Sequence, residues 1–425
     1  MNGSLVADLG LGPEVWLIVT FLGSVTFFFK FSRFWSVRNL DLILLFVLVP
    51  GMMQILSSRG DHAWGAYLWL FSGSAFWLLR SLLDLGLSRR PFFEPNLSAS
   101  GLLCLLVGLL GLLLAETVSL PVDEGAARNP AEPIGREKTS PPGANDANSP
   151  VNQVLKITPL PSSLRRELPQ VILSRVLAML AHLGLVLGLL TVGWSLFEKP
   201  ILGMAMAACY LILPYTRMAL VDSGQLVSAA LIIGAVVSHN RPALSGALIG
   251  LAAGWIPACL GLVALWAGYY RGRGMLRFLA TSVGVVFLCA TLGMAVPQLS
   301  HWASALGARS ITEVGLLPWT EPRPTGSFWL EIDPSFRLPV LVAYLALVIG
   351  VTFWPAGKNL GELIALSAAL LTASQFWYLD KGGTLVMLYL PLVLAMMFRP
   401  TLMPRRQGVS TFLRASARNP ATPST

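Results

Sequence analysis

The chain has 425 residues, of which 55% are hydrophobic and only 12% are charged, and its mean hydropathy is +0.67. Soluble domains carry about 25% charged residues, so a water-soluble fold is excluded for a chain with this much apolar surface. The formal net charge of +9 does not indicate nucleic-acid binding, because the basic residues lie in short loops beside apolar runs, where they act as topology signals.

Long apolar runs recur along the chain. A helix needs about 20 mostly apolar residues to cross about 30 Å of hydrocarbon. Lipid cannot satisfy backbone polar groups, and no alternating pattern predicts a barrel, so we expect an all-α, polytopic transmembrane helical bundle. About 11 full spans are predicted by this length criterion, at about 15–31, 40–56, 66–84, 101–120, 171–196, 201–218, 223–238, 275–297, 338–355, 361–378 and 383–398.

Two polar stretches divide the chain into regions. Residues 121–170 are rich in Pro, Asn, Gly, Ala and charge, which predicts a disordered loop rather than a folded domain. A four-span membrane region, 1–120, precedes this loop, and a second membrane region, 171–400, follows it. The remaining residues, 401–425, form a basic tail. The sequence before the first run has no basic stretch, so we expect the first span to be retained rather than cleaved as a signal peptide.

Basic residues in the short loops predict the orientation. Loops rich in lysine and arginine stay on the cytoplasmic side. We therefore expect a multi-pass protein of a bacterial inner (plasma) membrane, with its C-terminus in the cytoplasm and the 121–170 loop outside. The residues that agree on one side are Lys30, Arg33, Arg38, Arg89, Arg90, Lys199, Arg241, Lys358, Arg399, Arg405 and Arg406.

One apolar segment, residues 242–270, does not fit a single crossing. Arg241 precedes it and the basic turn 271–277 follows it, so one crossing would put a basic cluster outside. Pro257 lies in the middle, where it breaks or kinks a helix. The pattern favours a broken helical hairpin whose two halves return to the same face. One long kinked helix is the alternative.

The segment "RMALVDSGQ" places a base and an acid between two apolar runs on the predicted outer face. A helix N-terminus near Arg217 favours an anion such as a phosphate. Gly224 would let a ligand approach the backbone closely, and Gln225 could donate to a sugar hydroxyl or a phosphate oxygen. The alternative for Asp222 is structural, since an aspartate before a helix caps its free N–H groups.

Residues 205–280 contain a series of short motifs dominated by Leu, Ala and Gly. They are Gly224–Gln225, Asn240-Arg241-Pro242, Ser245–Ala253, Pro257 and Arg271–Arg277. In these motifs the segment resembles the polytopic glycosyltransferases of the GT-C type, in particular glycosyltransferase family 87. The resemblance implies transfer of a sugar from a polyprenyl-phosphate donor to an acceptor at the outer face, with membrane lipid and that donor as partners.

The resemblance also implies catalytic and binding residues. An outer-loop carboxylate would act as general base on the acceptor hydroxyl, for which Asp61 and Asp222 are the candidates. Arg217 would offset the charge of the departing phosphate. Apart from the resemblance, Trp329 lies near Glu331 and Asp333 in the sequence, and an aromatic side chain beside acids can bind a sugar, together with Gly224 and Gln225. The alternative for Trp329 is an anchor at the membrane interface.

This sequence departs from the family pattern at the hairpin. A lysine common near the hairpin proline is absent, because Gly254-Trp255-Ile256 stands there. Asp61 also has an alternative as a solvated loop acid beside Arg59 and His62. These departures leave open a relative that has lost activity or changed its donor.

Other polar residues in the apolar runs have structural interpretations. Arg80 and Asp84 lie four apart and predict a local pair on one helix. His182 is alone in the middle of its run, which favours a packed side chain. The four cysteines lie in apolar runs without metal-type spacing, so no metal site is predicted and the cofactor stays open.

Two other functions fit the same composition. A multi-pass transporter is the first, because broken helices supply sites in many transporters. A non-catalytic membrane scaffold is the second, with the 121–170 loop and the basic tail as contacts for partners.

Overall fold

The computed structural model describes residues 13–57, 64–86, 94–119, 162–309, 328–330, 334–378 and 384–400. All regular elements in these ranges are helical, which confirms the all-α class. Five stretches in the described part are long and apolar enough to cross a membrane, so the chain is an integral membrane protein with several spans. They are Val37–Ile55, Trp64–Gly86, Ala99–Ser119, Gln170–Leu196 and Met275–Ala295.

The other apolar helices contain 10–17 residues and are too short to be counted with those five. In chain order the α-helices are α1 (Pro13–Phe28), α2 (Val37–Leu44), α3 (Leu48–Ser57), α4 (Trp64–Leu83), α5 (Ala99–Ser119), α6 (Ser162–Thr191), α7 (Pro200–Ile212), α8 (Pro214–Met218), α9 (Ser223–Val237), α10 (Pro242–Trp255), α11 (Leu260–Tyr269), α12 (Met275–Ala295), α13 (Pro297–Ala305), α14 (Arg337–Phe353), α15 (Leu360–Ser374) and α16 (Val386–Phe398).

Helix α6 begins earlier than the sequence predicts. Its first residue is Ser162, so the helix overlaps the last nine residues of the segment 121–170 that the sequence predicts as a loop. The stretch "SSLRREL" is rich in leucine, arginine and glutamate, which are good helix formers. These residues extend the helix beyond the apolar run. The rest of that loop and the 401–425 tail lie outside the described residues.

Hydrogen bonds and ion pairs gather the basic turns at one end of the bundle. The side chain of Asn96, before α5, donates to the carbonyl of Phe29, after α1, at 2.9 Å. Arg399 at the end of α16 pairs with Asp84 after α4 at 3.0 Å. Arg271 lies over the ring of Phe353, with 5.2 Å between its Cζ and the ring centroid. We call this end, with its lysine and arginine residues, the basic face.

Residues 242–270 return to the basic face. Helix α10 ends at Trp255, Ile256 is extended, and a short 3-10 turn at Pro257–Cys259 leads into α11. At about 1.5 Å per residue, α10 and α11 are only about 21 and 15 Å long. The hydroxyl of Tyr270, after α11, donates to the carbonyl of His239, before α10, at 2.6 Å. The two ends of the segment therefore meet, as the broken hairpin requires and a single long helix does not.

A stripe of glycines on α10 brings it against α12. Gly246, Gly250 and Gly254 are spaced four apart, so they lie on one side of the helix. A Cβ at Gly250 would lie 2.5 Å from the carbonyl oxygen of Ser282, and one at Gly254 would lie 2.9 Å from the Cβ of Cys289. Residues later in α10 contact residues later in α12, so the two helices run parallel. Small residues allow this backbone approach, on which helix association in lipid depends.

The last two helices form the centre of the bundle. Every residue of α16 is buried, and so is every residue of α15 from Leu363 to Ser374. Helices enclosed by protein need not match the thickness of the lipid, which explains their short length. The enclosure also explains Pro391 inside α16, because neighbouring protein can satisfy the backbone groups that a proline leaves free.

A chain of four charged side chains joins α2, α4 and α16 at the basic face. Arg80 donates to both carboxylate oxygens of Asp41, at 2.8–3.2 Å, and to Asp84 at 3.3 Å. Asp84 also accepts from Arg399, whose guanidinium lies directly over Gly361. The predicted Arg80–Asp84 pair is thus confirmed, with two further members. Removing one member of a buried ion pair typically costs about 3–5 kcal/mol, so this chain fixes the ends of three helices.

The hairpin leads to a labelling prediction. Single cysteines are placed at Arg241, Arg273 or Val221, all of them exposed, in a chain whose native cysteines are replaced. We expect positions 241 and 273 to react with a membrane-impermeant maleimide from one side, and position 221 from the other. Positions 241 and 273 reacting from opposite sides would contradict the hairpin.

The glycine stripe leads to a stability prediction. Gly250→Leu forces a side chain into the backbone of α12, and we expect it to lower the free energy of unfolding by about 1–3 kcal/mol or more. Thermal unfolding in detergent, followed by circular dichroism, measures the loss. Gly284→Leu on α12 is the matched control, since nothing lies within 4 Å of a Cβ there. Equal losses in the two variants would show that the close contact is not what stabilises the pair.

Candidate functional site

The turn between α8 and α9 lies at the end of the bundle opposite the basic face. Pro214 starts α8, where its fixed φ suits the first helical position, and α8 ends at Met218. Asp222 precedes the first residue of α9. This turn and the helix ends on either side of it contain four of the six site residues predicted from the sequence, which are Arg217, Asp222, Gly224 and Gln225.

Asp222 caps α9. One carboxylate oxygen lies 3.5 Å from the backbone nitrogen of Gln225, and the other accepts from the side-chain amide of Gln225 at 2.9 Å. The structural interpretation of Asp222 is therefore confirmed. The cap also orients the carboxylate toward the first turn of its own helix, where it stabilises the free N–H groups that would otherwise attract an anion.

Gln225 links α9 to the start of α16. Its amide nitrogen donates to the carbonyl of Thr384 at 3.0 Å as well as to Asp222. The side chain is buried, and its oxygen has no hydrogen-bond partner among the described residues. The amide hydrogens predicted to bind a sugar or phosphate are thus both used inside the protein.

The space expected for a ligand at Gly224 holds the protein's own backbone. A Cβ on Gly224 would lie 2.6 Å from the carbonyl oxygen of Gly307. Gly307 has a φ of +86°, in the left-handed region that glycine adopts easily. Next to it, the hydroxyl of Ser223 donates to the carbonyl of Leu306 at 2.7 Å. A close approach to the Gly224 backbone is therefore made by the segment after α13.

Arg217 is paired with an acid that the sequence analysis did not place in the site. Its guanidinium forms an ion pair with Glu116 at the end of α5 and lies over the ring of Trp16, with 4.7 Å between its Cζ and the ring centroid. Both charged side chains are mostly buried. The positive charge predicted for a phosphate is therefore already compensated. The sequence could have suggested this pair, because Glu116 lies near the outer end of its predicted span, on the same predicted face as Arg217.

Trp329 lies in a short 3-10 turn and is buried. Its ring nitrogen donates to the carbonyl of Phe376 at 3.1 Å, so the side chain joins this turn to the end of α15. Asp61, the other predicted base, lies outside the described residues, as do Glu331 and Asp333. The structure thus brings Asp222 and Gln225 together and puts Arg217 in the same turn.

Other polar and cavity features within the described ranges do not add a site. His182 is packed, with one ring nitrogen 2.8 Å from the hydroxyl of Tyr210 and the other 3.3 Å from the carbonyl of Leu220. In the described residues no group of three His, Cys, Asp or Glu side chains could hold a metal. A cavity between Tyr215 and Tyr389 has apolar walls and room for about one water molecule.

The cap at Asp222 leads to a stability prediction. We expect Asp222→Ala to lower the free energy of unfolding by about 1 kcal/mol, because α9 loses its cap, and Asp222→Asn to change it by less than half as much. Thermal unfolding of the purified variants measures both. Equal destabilisation by the two substitutions would show that the charge, rather than the capping hydrogen bond, is what matters.

None of the family models, curated proteins or solved structures with which the chain was compared matches it. Function therefore has to be argued from the contacts described above.

Proposed function

We propose that this chain is an integral membrane glycosyltransferase-like protein that takes a sugar from a polyprenyl-phosphate donor at the face opposite the basic face. In this proposal the basic face is cytoplasmic, about 11 spans cross a bacterial inner membrane, and the C-terminus lies in the cytoplasm. The observation that best supports this proposal is that the α10–α11 hairpin returns to the basic face. That return puts Arg241 and the basic turn 271–277 together, and it supports a position of the α8–α9 turn on the other side of the membrane, where the resemblance requires it.

The proposed chemistry uses the polar groups at that turn and the loops next to it. A carboxylate, Asp61 or Asp222, takes the proton of an acceptor hydroxyl. The acceptor oxygen then bonds to the anomeric carbon of the sugar as the bond from that carbon to the lipid phosphate breaks. Arg217 offsets the charge that the departing phosphate gains. Gln225 and Trp329 would hold the sugar.

The contacts in the turn set a condition for this reaction. Asp222 and Gln225 bond to each other, Gly224 packs on Gly307, and Arg217 is paired with Glu116. Donor binding therefore requires the segment after α13 to leave Gly224, which breaks the Ser223–Leu306 hydrogen bond. That bond alone has a net cost of about 0.5–1.5 kcal/mol, and freeing Gln225 and Arg217 from their present partners adds to it.

A transporter is the second candidate, and two features of the helices favour it. The α10–α11 pair is interrupted within the bundle, and α16 contains a proline while being enclosed by protein. Interrupted helices of this kind form substrate sites in many transporters. A scaffold is the third candidate, favoured by the internal pairing of the polar groups at the α8–α9 turn.

Sugar transfer in reconstituted vesicles tests the proposal. Purified protein is incorporated with a radiolabelled polyprenyl-phosphate hexose, and the release of label from the lipid is measured with membrane extract as the source of acceptor. We expect release by the natural chain, and a loss of at least 100-fold in Asp61→Asn or Asp222→Asn, because a general base contributes about 10²–10⁴-fold.

The matched control is Glu198→Gln, an exposed acid at the opposite end of the bundle, which should keep full activity. Asp222→Asn keeps a capping side chain, so loss of activity in that variant separates catalysis from folding. No release by the natural chain, or full activity in both aspartate variants, would reject the glycosyltransferase. Substrate uptake by the same vesicles would then favour the transporter.

A further inference from the structure

The turn between α11 and α12 concentrates unpaired positive charge at the basic face. Arg271, Arg273 and Arg277 fall within seven residues, and all three are exposed. None of the three forms an ion pair with a carboxylate among the described residues. We call residues 271–277 the arginine turn. It contrasts with two arginines on the same face that are paired with aspartates, the buried Arg399 and the half-buried Arg80.

Three acids in the described part of the basic face, Asp41, Asp84 and Glu362, bond to groups outside this turn. Asp41 and Asp84 form ion pairs with Arg80 and Arg399. Glu362 accepts from the backbone nitrogen of Asn359 at 3.0 Å, in the capping box that starts α15. The adjacent base, Lys358, is buried and donates to two backbone carbonyls. Its burial, and then the nearby charge of Arg271, lower the pKa of Lys358 despite the opposing pull of Glu362. Positive charge is therefore in excess at this corner of the protein.

Exposed apolar side chains border the arginine turn. Phe353 and Trp354 at the end of α14 are 59% and 69% exposed, and Leu276 within the turn is 78% exposed. The guanidinium of Arg271 lies over the Phe353 ring, which ties the turn to the end of α14. Aromatic and basic side chains at the ends of membrane helices mark the depth of the lipid headgroups. The corner is thus apolar toward the lipid and positive toward the headgroups.

The backbone of the arginine turn is held from two sides. Tyr270 is bonded to the carbonyl of His239. Gly274, at a φ of +107°, lies against Pro242, so that a Cβ there would be 3.0 Å from the proline ring. These contacts fix the start of α12 on the start of α10. The arginines are therefore presented from a fixed backbone, which lowers the entropic cost of binding a ligand.

We propose that the arginine turn, together with Phe353 and Trp354, binds the phosphate of an anionic phospholipid in the leaflet at the basic face. Guanidinium groups suit phosphate oxygens because they donate two parallel hydrogen bonds, and basic pockets between membrane helices bind anionic headgroups. The acyl chains lie against Leu276 and the aromatic pair. This lipid site does not depend on the proposed sugar transfer, which takes place at the opposite face.

Lipid-selective quenching tests the site. Protein in nanodiscs is supplied with brominated phosphatidylglycerol or brominated phosphatidylcholine. The fluorescence of Trp354 is obtained by subtracting the fluorescence of the Trp354→Phe variant from that of the natural chain. We expect selective quenching by phosphatidylglycerol. Each basic residue near an anionic surface is worth about 1 kcal/mol, or about fivefold, so Arg271→Gln/Arg273→Gln should reduce the selective affinity roughly 25-fold.

Two further variants separate a site from general attraction. Lys30→Gln/Lys199→Gln removes the same charge from exposed positions elsewhere on the basic face and should keep the selectivity. Arg271→Lys/Arg273→Lys keeps the charge and should retain part of the selectivity for phosphatidylglycerol, since lysine cannot donate two parallel hydrogen bonds to one phosphate. No preference for phosphatidylglycerol in the natural chain, or an equal loss in the Lys30/Lys199 variant, would overturn the proposal.

Discussion

Water is absent from the hydrocarbon of a bilayer, so each polar group of this chain must either find a partner inside the protein or lie at an end of the bundle. Both solutions are used. The carboxylates of Asp41 and Asp84 are buried because two arginines bond to them. Asp222 is held by the first turn of its own helix. The exposed arginines after α11 instead lie at an end of the bundle, because the hairpin brings them back to the face from which α10 starts.

The sequence predicted those features that depend on nearest neighbours along the chain. The positions of the apolar runs, the break at Pro257, the cap at Asp222 and the Arg80–Asp84 pair are all local patterns of this kind. The return of the hairpin was also within reach, since a single crossing would have separated Arg241 from the basic turn 271–277. In that case the constraint came from the membrane rather than from the local sequence.

Long-range contacts at the candidate site could not be predicted in the same way. Arg217 and Glu116 are 101 positions apart, and Ser223 and Leu306 are 83 apart. Composition identifies Arg217 as a charge that needs an explanation, but it does not say whether a ligand or another side chain provides the partner. A glycine presents the same ambiguity, because Gly224 permits close approach by a phosphate or by the backbone of Gly307 equally well. Only the folded chain decides between them.

The same distinction applies to the residues that carry the family resemblance. Gly246 and Gly250 pack on α12, Pro257 begins the turn between the half-helices, and Gln225 ties α9 to the start of α16. Each of these positions has a folding role that is sufficient to explain its residue type. What the motifs encode most directly is therefore a short helix pair that returns to one face and packs closely on its neighbours. A glycosyltransferase can use that arrangement to hold a lipid phosphate, and so can a protein with other chemistry.

In the proposed function the chemistry depends on the groups at the opposite end, where Glu116 and Trp16 from the first membrane region meet Arg217. Because that region contacts the candidate site, the first four predicted spans are packed as part of the same bundle and are not a separate addition to it.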